Sequence, residues 1–203
     1  MWEWISENSG LVQASMAAVT ALVWMVYLHI IVSGLRRQRL TEILIHLGGS
    51  RDLSARFLVS NLGFEPIYVL EIMLTVGTAD GQRMSSVADR TEIARDQHPT
   101  PREATLQGPL KSGDHVEIGS VTDLLDRARS KGFDRIEPQD VREFRVTVAA
   151  ITAADSSIVA ANRDFTMQRQ GDELCLCPKS LSARQIRSRR ERRQIEADLR
   201  RQM

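Results

Sequence analysis

The chain has 203 residues, 27 basic against 26 acidic, with 42% hydrophobic and 26% charged side chains. That length holds a membrane segment and one domain of ordinary size, and the near-balanced charge gives no global attraction to nucleic acid or to acidic partners. The only cysteines, Cys175 and Cys177, stand one residue apart, too close to shut a useful loop, so no disulfide framework is indicated and a reducing compartment fits.

No Asp, Glu, Lys or Arg lies between Glu7 and Arg36. The stretch Leu11 to Leu35 is apolar almost throughout; as a helix its 25 residues would reach roughly 37 Å, enough to cross a hydrocarbon core of about 30 Å. Residues 1–10 form a short external N-terminus in which Trp2 and Trp4 suit one interface. Arg36, Arg37 and Arg39, in a basic juxtamembrane segment at 36–40, suit the other. A cleaved signal peptide would start basic and end in small residues, whereas this segment starts with Glu3 and Glu7 and ends in arginines. The expectation is a single-pass protein with its N-terminus outside and its main domain cytoplasmic, because the basic flank stays inside. Arginine outnumbers lysine heavily, since Lys111, Lys131 and Lys179 are the only lysines. That bias suits a GC-rich bacterial genome, and hence a bacterial inner membrane.

Ala14, Ala17, Ala18 and Ala21 recur at helical spacing within the span. Small residues so placed let a second helix approach closely, from another membrane protein or from a second copy of the chain; alanine is also simply common in membrane helices. His29 is the ionisable imidazole of the span. Two turns from Arg36, it reads as an interfacial residue rather than a proton relay.

From Thr41 the hydrophobic period becomes strand-like. Thr41 to Leu47, Ala55 to Ser60 and Pro66 to Val76 read as strands, separated by turn signals at Gly48-Gly49-Ser50 and Asn61-Leu62-Gly63. Residues 78–100 read as loops around a weak strand. Arg102 to Gln107 and His115 to Ile118 are short strand candidates. Val121 to Lys131 has helical spacing, with Ser120 as cap and Gly132 as stop. Val141 to Thr152 alternates, placing Phe144, Val146 and Val148 on one face. Ile158 to Met167 returns as its hairpin partner, and Leu174 to Cys177 adds a short strand. Seven or eight strands in hairpin order with one inserted helix give the expected fold for residues 41–178: mainly β, an antiparallel sandwich.

The segment Val59-Ser60-Asn61-Leu62-Gly63-Phe64-Glu65-Pro66-Ile67-Tyr68-Val69 resembles the strand–turn–strand of bacterial immunoglobulin-like domains, in which an Asn-x-Gly turn separates two core strands. The resemblance covers about twenty residues. It implies an immunoglobulin-like sandwich that binds or spaces other proteins; the Cys–Trp–Cys pattern of immunoglobulins is absent, since no tryptophan follows Trp24.

Residues 179–203 form a basic C-terminal helix or tail, for which Ser180 or Ser182 is the candidate cap. Lys179, Arg184, Arg187, Arg189, Arg190, Arg192, Arg193, Arg200 and Arg201 face only Glu191, Glu196 and Asp198, and Ile195, Leu199 and Met203 form a narrow apolar stripe. Such a segment is a solvated or partner-binding helix, or one that attracts anionic lipid. No aromatic residue is present in it to stack on bases, so nucleic acid is not the expected partner.

The nucleophile elbow, the phosphate loop and the dinucleotide fingerprint are absent. The Cys175-x-Cys177 pair lacks the further ligands of a zinc site, as His46, His98 and His115 lie at unrelated spacings. Asp96, His98, Asp114 and His115 lie on candidate loops without a spacing that carries mechanism. The expectation is therefore no catalytic, metal or cofactor site, and a scaffold or accessory subunit of a membrane complex. A membrane-tethered ligand-binding sensor or adaptor, and an enzyme without a familiar motif, are the competing readings.

Overall fold

The structure, a computed structural model, describes residues 8–38, 41–91, 104–133, 136–152, 158–171 and 173–202. The chain divides into two units, Met1–Leu40 and Thr41–Met203.

The first unit is one helix, α1 (Ser9–Gln38), of 30 residues. Its window Ser9–Gly34 is long and apolar enough to cross a membrane, and none of it is buried within the protein. Besides that of Ser9, its N-terminal half carries two hydroxyls, and both turn back onto the helix, Ser15 Oγ donating to the Val12 carbonyl at 2.8 Å and Thr20 Oγ1 to that of Met16 at 2.8 Å. Such bonds leave few polar groups seeking water inside a bilayer.

The second unit is β-rich, with two antiparallel sheets and two helices among the described residues. The smaller sheet has the order β1 (Ile43–Gly48), β2 (Arg56–Asn61), β6 (His115–Ser120). The larger is built on β3 (Ile67–Thr78), β7 (Glu143–Thr152) and β8 (Ile158–Gln170). One flank of β3 carries β5 (Gly108–Leu110) and β4 (Gly81–Ser86). The outer flank of β8 carries β9 (Glu173–Pro178) and β10 (Arg184–Ile186).

Alternation explains why the sheets face each other. Ile43, Ile45, Phe57, Val59 and Ile118 of the smaller sheet share one core with Leu74, Val76, Phe144, Val146, Val148 and Phe165 of the larger. Phe57 sits at its centre, stacked on Phe144 with ring centroids 5.5 Å apart and edge-on to Phe165 at 5.2 Å. In β3 the inward parity changes from Ile67 and Val69 to Ile72, Leu74 and Val76. A bulge at Leu70, where the register against β7 slips, causes the change and leaves Glu71 half-buried on the sheet's outer face.

Helix α2 (Val121–Ser130) opens with a capping box: Ser120 Oγ accepts from Asp123 N–H, and the Asp123 carboxylate from Ser120 N–H. Val121, Leu124, Leu125 and Ala128 enter the core, as the helical spacing expects. Helix α3 (Arg189–Gln202) lies on the outer face of the larger sheet, where Ile195 and Leu199 cover Met73, Ala149, Ala160 and Ile186. Those two residues are the described part of the apolar stripe; Met203 lies outside the described residues.

Three details sharpen or depart from expectation, the first being the weak strand expected within 78–100. Residues 81–86 form the regular strand β4, although Gly-Gln-Arg-Met-Ser-Ser has weak strand character; six registered pairs with β3 impose it. Residues 184–186 form β10 rather than the start of a helix, and α3 begins only at Arg189, capped by Ser188: Glu191 N–H donates to Ser188 Oγ at 3.2 Å, and that hydroxyl donates to the Glu191 carboxylate at 2.8 Å. The short strand expected from Arg102 instead starts at Gly108 in its described part.

One edge of the double layer is closed by side chains. Glu42 accepts from Leu62 N–H on the β2 side, so by alternation the carbonyls of Ile43 and Ile45 point to the free edge of β1. There the Gln185 carboxamide accepts from Ile43 N–H at 3.1 Å and donates to the Ile43 carbonyl at 2.7 Å, and Arg163 Nη1 donates to the Ile45 carbonyl at 2.6 Å. An edge satisfied this way presents no template to another strand.

Candidate functional site

In α1, Ala14, Ala17, Ala18 and Ala21 fall within an arc of about 100° at helical pitch and all are exposed. They form one face of small side chains on the helix. Arg36 and Arg37 lie in the last turn of the helix. Trp2, Trp4 and Arg39 lie outside the described residues. His29 is exposed on the helix.

The basic residues of the C-terminal segment do not form one patch. Arg184 precedes the helix and pairs with Glu191 at 2.7 Å, Arg200 pairs with Glu196 at 2.6 Å and Arg201 with Asp198 at 3.6 Å. Arg192 turns inward, its Nε donating to the Ile186 carbonyl at 3.3 Å. Arg187, Arg189, Arg190 and Arg193 are exposed and make no ion pair among the described residues. The surplus positive charge of the tail is therefore concentrated at the start of α3.

Two interior arginines lay outside the expected set. Arg163, in β8, is 6% exposed. Its Nη1 donates to Ile45, its Nη2 to the carbonyls of Ser180 at 3.0 Å and Leu181 at 3.1 Å, and its guanidinium lies 5.4 Å from the Phe165 ring centroid. Burial pushes its pKa down from the usual arginine range, but the carbonyl fork and the ring face suit a cation. Its position was a detectable signal: Val159, Ala161, Phe165 and Met167 alternate inward on either side of it. Arg127, in α2, donates from Nη1 to the carbonyls of Val87 at 3.2 Å and Ile118 at 2.7 Å. Both side chains tie elements together.

The most reactive-looking polar group sits beside the β3 bulge. Ser86 Oγ donates to Glu71 Oε1 at 2.8 Å and accepts from Lys131 Nζ at 3.3 Å, while Lys131 pairs with Asp89 at 2.7 Å. Burial raises the Glu71 carboxyl above its ordinary pKa; hydrogen bonds from Ser86 and the Ile72 N–H oppose this. The serine thus donates to a carboxylate and accepts from a lysine that is itself held in an ion pair, so the polar groups here satisfy one another.

Open clefts of about 440 Å³ beside Tyr68, Arg90 and Gln107, and of about 370 Å³ beside Arg83, Asp140 and Arg142, lie on the surface. Cys175 and Cys177 are free thiols on β9. Asp114 and His115 adjoin each other at the start of β6, and His46 lies in β1; Asp96 and His98 lie outside the described residues. Among the described residues no three His, Cys, Asp or Glu side chains cluster so as to hold a metal ion.

A β-rich domain of two antiparallel sheets, a basic C-terminal helix and one apolar N-terminal helix long enough to span a membrane define the class: a protein whose architecture is consistent with a membrane-anchored domain. No protein-family model, no curated protein and no solved structure matches the chain.

Proposed function

We propose that this is a single-pass membrane protein whose role is interaction: a scaffold or accessory subunit of a bacterial inner-membrane complex. Its N-terminus is periplasmic and its β-rich domain, of immunoglobulin-like type, cytoplasmic. The observation that carries the reading is the apolar window Ser9–Gly34, 26 residues of which none is buried by the rest of the protein. A soluble protein would hide such a helix in its core. The alanine face on α1 supports packing against partner helices. Arg187, Arg189, Arg190 and Arg193 support attraction to anionic lipid or to an acidic partner.

The test is crosslinking and pull-down from native membranes, with the full chain beside one beginning at Thr41. Partners recovered only with the full chain make the helix the assembly surface; the same partners with both make the β-rich domain the recognition module. A full chain that is extracted by carbonate, or that runs alone at every concentration, overturns the reading.

A further inference from the structure

The turn at Asn61-Leu62-Gly63 presents two apolar side chains to solvent. Leu62 is 56% exposed and Phe64 73%. The turn is rigidly built: Asn61 is fully buried, its Nδ2 donates to the carbonyls of Glu65 at 2.8 Å and Leu110 at 3.2 Å, and its Oδ1 accepts from Gly63 N–H at 3.0 Å. Well-anchored backbone that holds a leucine and a phenylalanine in water favours an apolar contact elsewhere.

The turn's neighbours say where. Leu62 N–H donates to the Glu42 carbonyl at 2.8 Å, and a Cβ built on Gly63 would meet the Thr41 Cα at 3.2 Å. Thr41 follows Gln38, the last residue of α1, by three positions in sequence. By chain length alone three residues reach no further than about 11 Å. A turn fastened to Thr41 and Glu42 is therefore tethered close to the membrane surface whenever α1 spans the bilayer.

We propose that Leu62 and Phe64 form a membrane-interface wedge, inserting among the lipid headgroups and upper acyl chains. The proposal rests on the single-span reading above. Lipid is the occupant because the tether keeps it at high effective concentration beside the turn, whereas a soluble partner must be recruited. The surroundings limit the depth. Glu42, Glu65 and Asp114 lie beside the wedge, and carboxylates stay in water. Lys111 belongs to the loop that closes on Asn61 through the Gly113 N–H, 2.8 Å from the Asn61 carbonyl, and is placed to meet lipid phosphate. Two apolar tips ringed by charges make a shallow wedge, which fixes which end of the domain faces the membrane.

All three native tryptophans precede the β-rich unit, which gives a direct test. Full-length chains with a single tryptophan are placed in phosphatidylcholine vesicles with or without brominated acyl chains, which quench at contact. One keeps Trp24 alone; the others replace all three by Phe and carry Phe64→Trp, Leu62→Trp or Gln82→Trp. Gln82 pairs with Gly77, ten residues along β3 from Ile67, and controls for the affinity of tryptophan itself for interfaces. The expected result is quenching of about two-fold at positions 62 and 64, stronger quenching at Trp24 and none at position 82. Quenching at Trp24 but not at 62 or 64 overturns the wedge and leaves the span standing. A blue shift at 64 without quenching assigns the turn to a contact with a second copy of the chain, and equal quenching at 64 and 82 means collapse onto the bilayer; each overturns the proposal. Quenching at none of the sites removes the span itself and the wedge with it.

Discussion

Three backbone carbonyls, those of Ile45, Ser180 and Leu181, depend on the side chain of Arg163. Replacing it with Met keeps much of the volume and removes every donor. The expected loss is about 3 kcal/mol, from carbonyls left without partners, read as a lower urea midpoint at unchanged slope for the detergent-solubilised chain. Arg163→Lys should recover only part, because an ammonium lacks the planar fork. The inward register of Arg163 was legible in the alternation of β8. Its acceptors were not, because Ile45 lies 118 positions away and sequence spacing holds no information about which edge carbonyl a buried cation reaches. Glu71 gives a pH signature of definite sign. Its folded-state pKa is raised, so the stability it contributes is present below the ordinary glutamate range and lost as pH rises through the folded value. Glu71→Gln keeps the acceptor for Ser86 and Ile72 and abolishes that loss. The variant should melt above the wild type at neutral pH, the two converging in acid; a constant offset at every pH would refute the assignment. Glu143, held below the usual carboxylate range chiefly by the hydrogen bond from Lys179, acts in the opposite sense and loses its contribution as pH falls.

At the scale of elements, the long apolar and alternating segments were readable and the short ones were not. The apolar helix, β3, β7, β8 and the capped α2 each carry enough residues for a period to show. Three residues of β10 show none, and its pairing with Ala160, Ala161 and Asn162 comes from the position of β8. The C-terminal helix illustrates how a rule can be right and its address wrong. Ser180 and Ser182 were reasonable caps, but Ser188-Arg189-Arg190-Glu191 holds the Ser-x-x-Glu pattern: Glu191 N–H donates to Ser188 Oγ, and the serine hydroxyl, rather than its backbone N–H, donates to the Glu191 carboxylate. Ser188→Ala should cost about 1 kcal/mol of helix stability, seen as faster amide exchange in α3 while β7 and β8 stay protected. Ile195→Asp should go further and detach the helix, uncovering Met73, Ala149 and Ala160, with dye binding by the exposed apolar face as the readout. The β3 bulge left a single trace in the sequence, the switch of apolar parity after Val69.

For the whole molecule, the proposed orientation makes a prediction through Cys177. It is partly exposed on β9, whereas Cys175 is 8% exposed. With the β-rich domain inside the cell, a membrane-impermeant maleimide should modify Cys177 in inverted vesicles and spare it in intact spheroplasts. The reverse pattern would invert the topology. The functional surfaces were legible unevenly. The apolar helix long enough to cross a membrane and the arginine-rich tail are compositional and show in the sequence directly. The Leu62–Phe64 tip does not, since both residues read as ordinary parts of a turn between core strands until the burial of Asn61 shows which way the turn is held.

The clasp at the free edge of β1 has a mechanical consequence. Any pull transmitted through the N-terminal helix enters β1 at Ile43, its first residue. A strand bonded only to β2 would be peeled off one pair at a time. Gln185 grips the backbone of that same residue on both its N–H and its carbonyl, and Arg163 holds Ile45 two residues on. Load entering at Ile43 is thus shared between the two sheets at the point of attachment, and the last strand of the chain serves as the lock on the first.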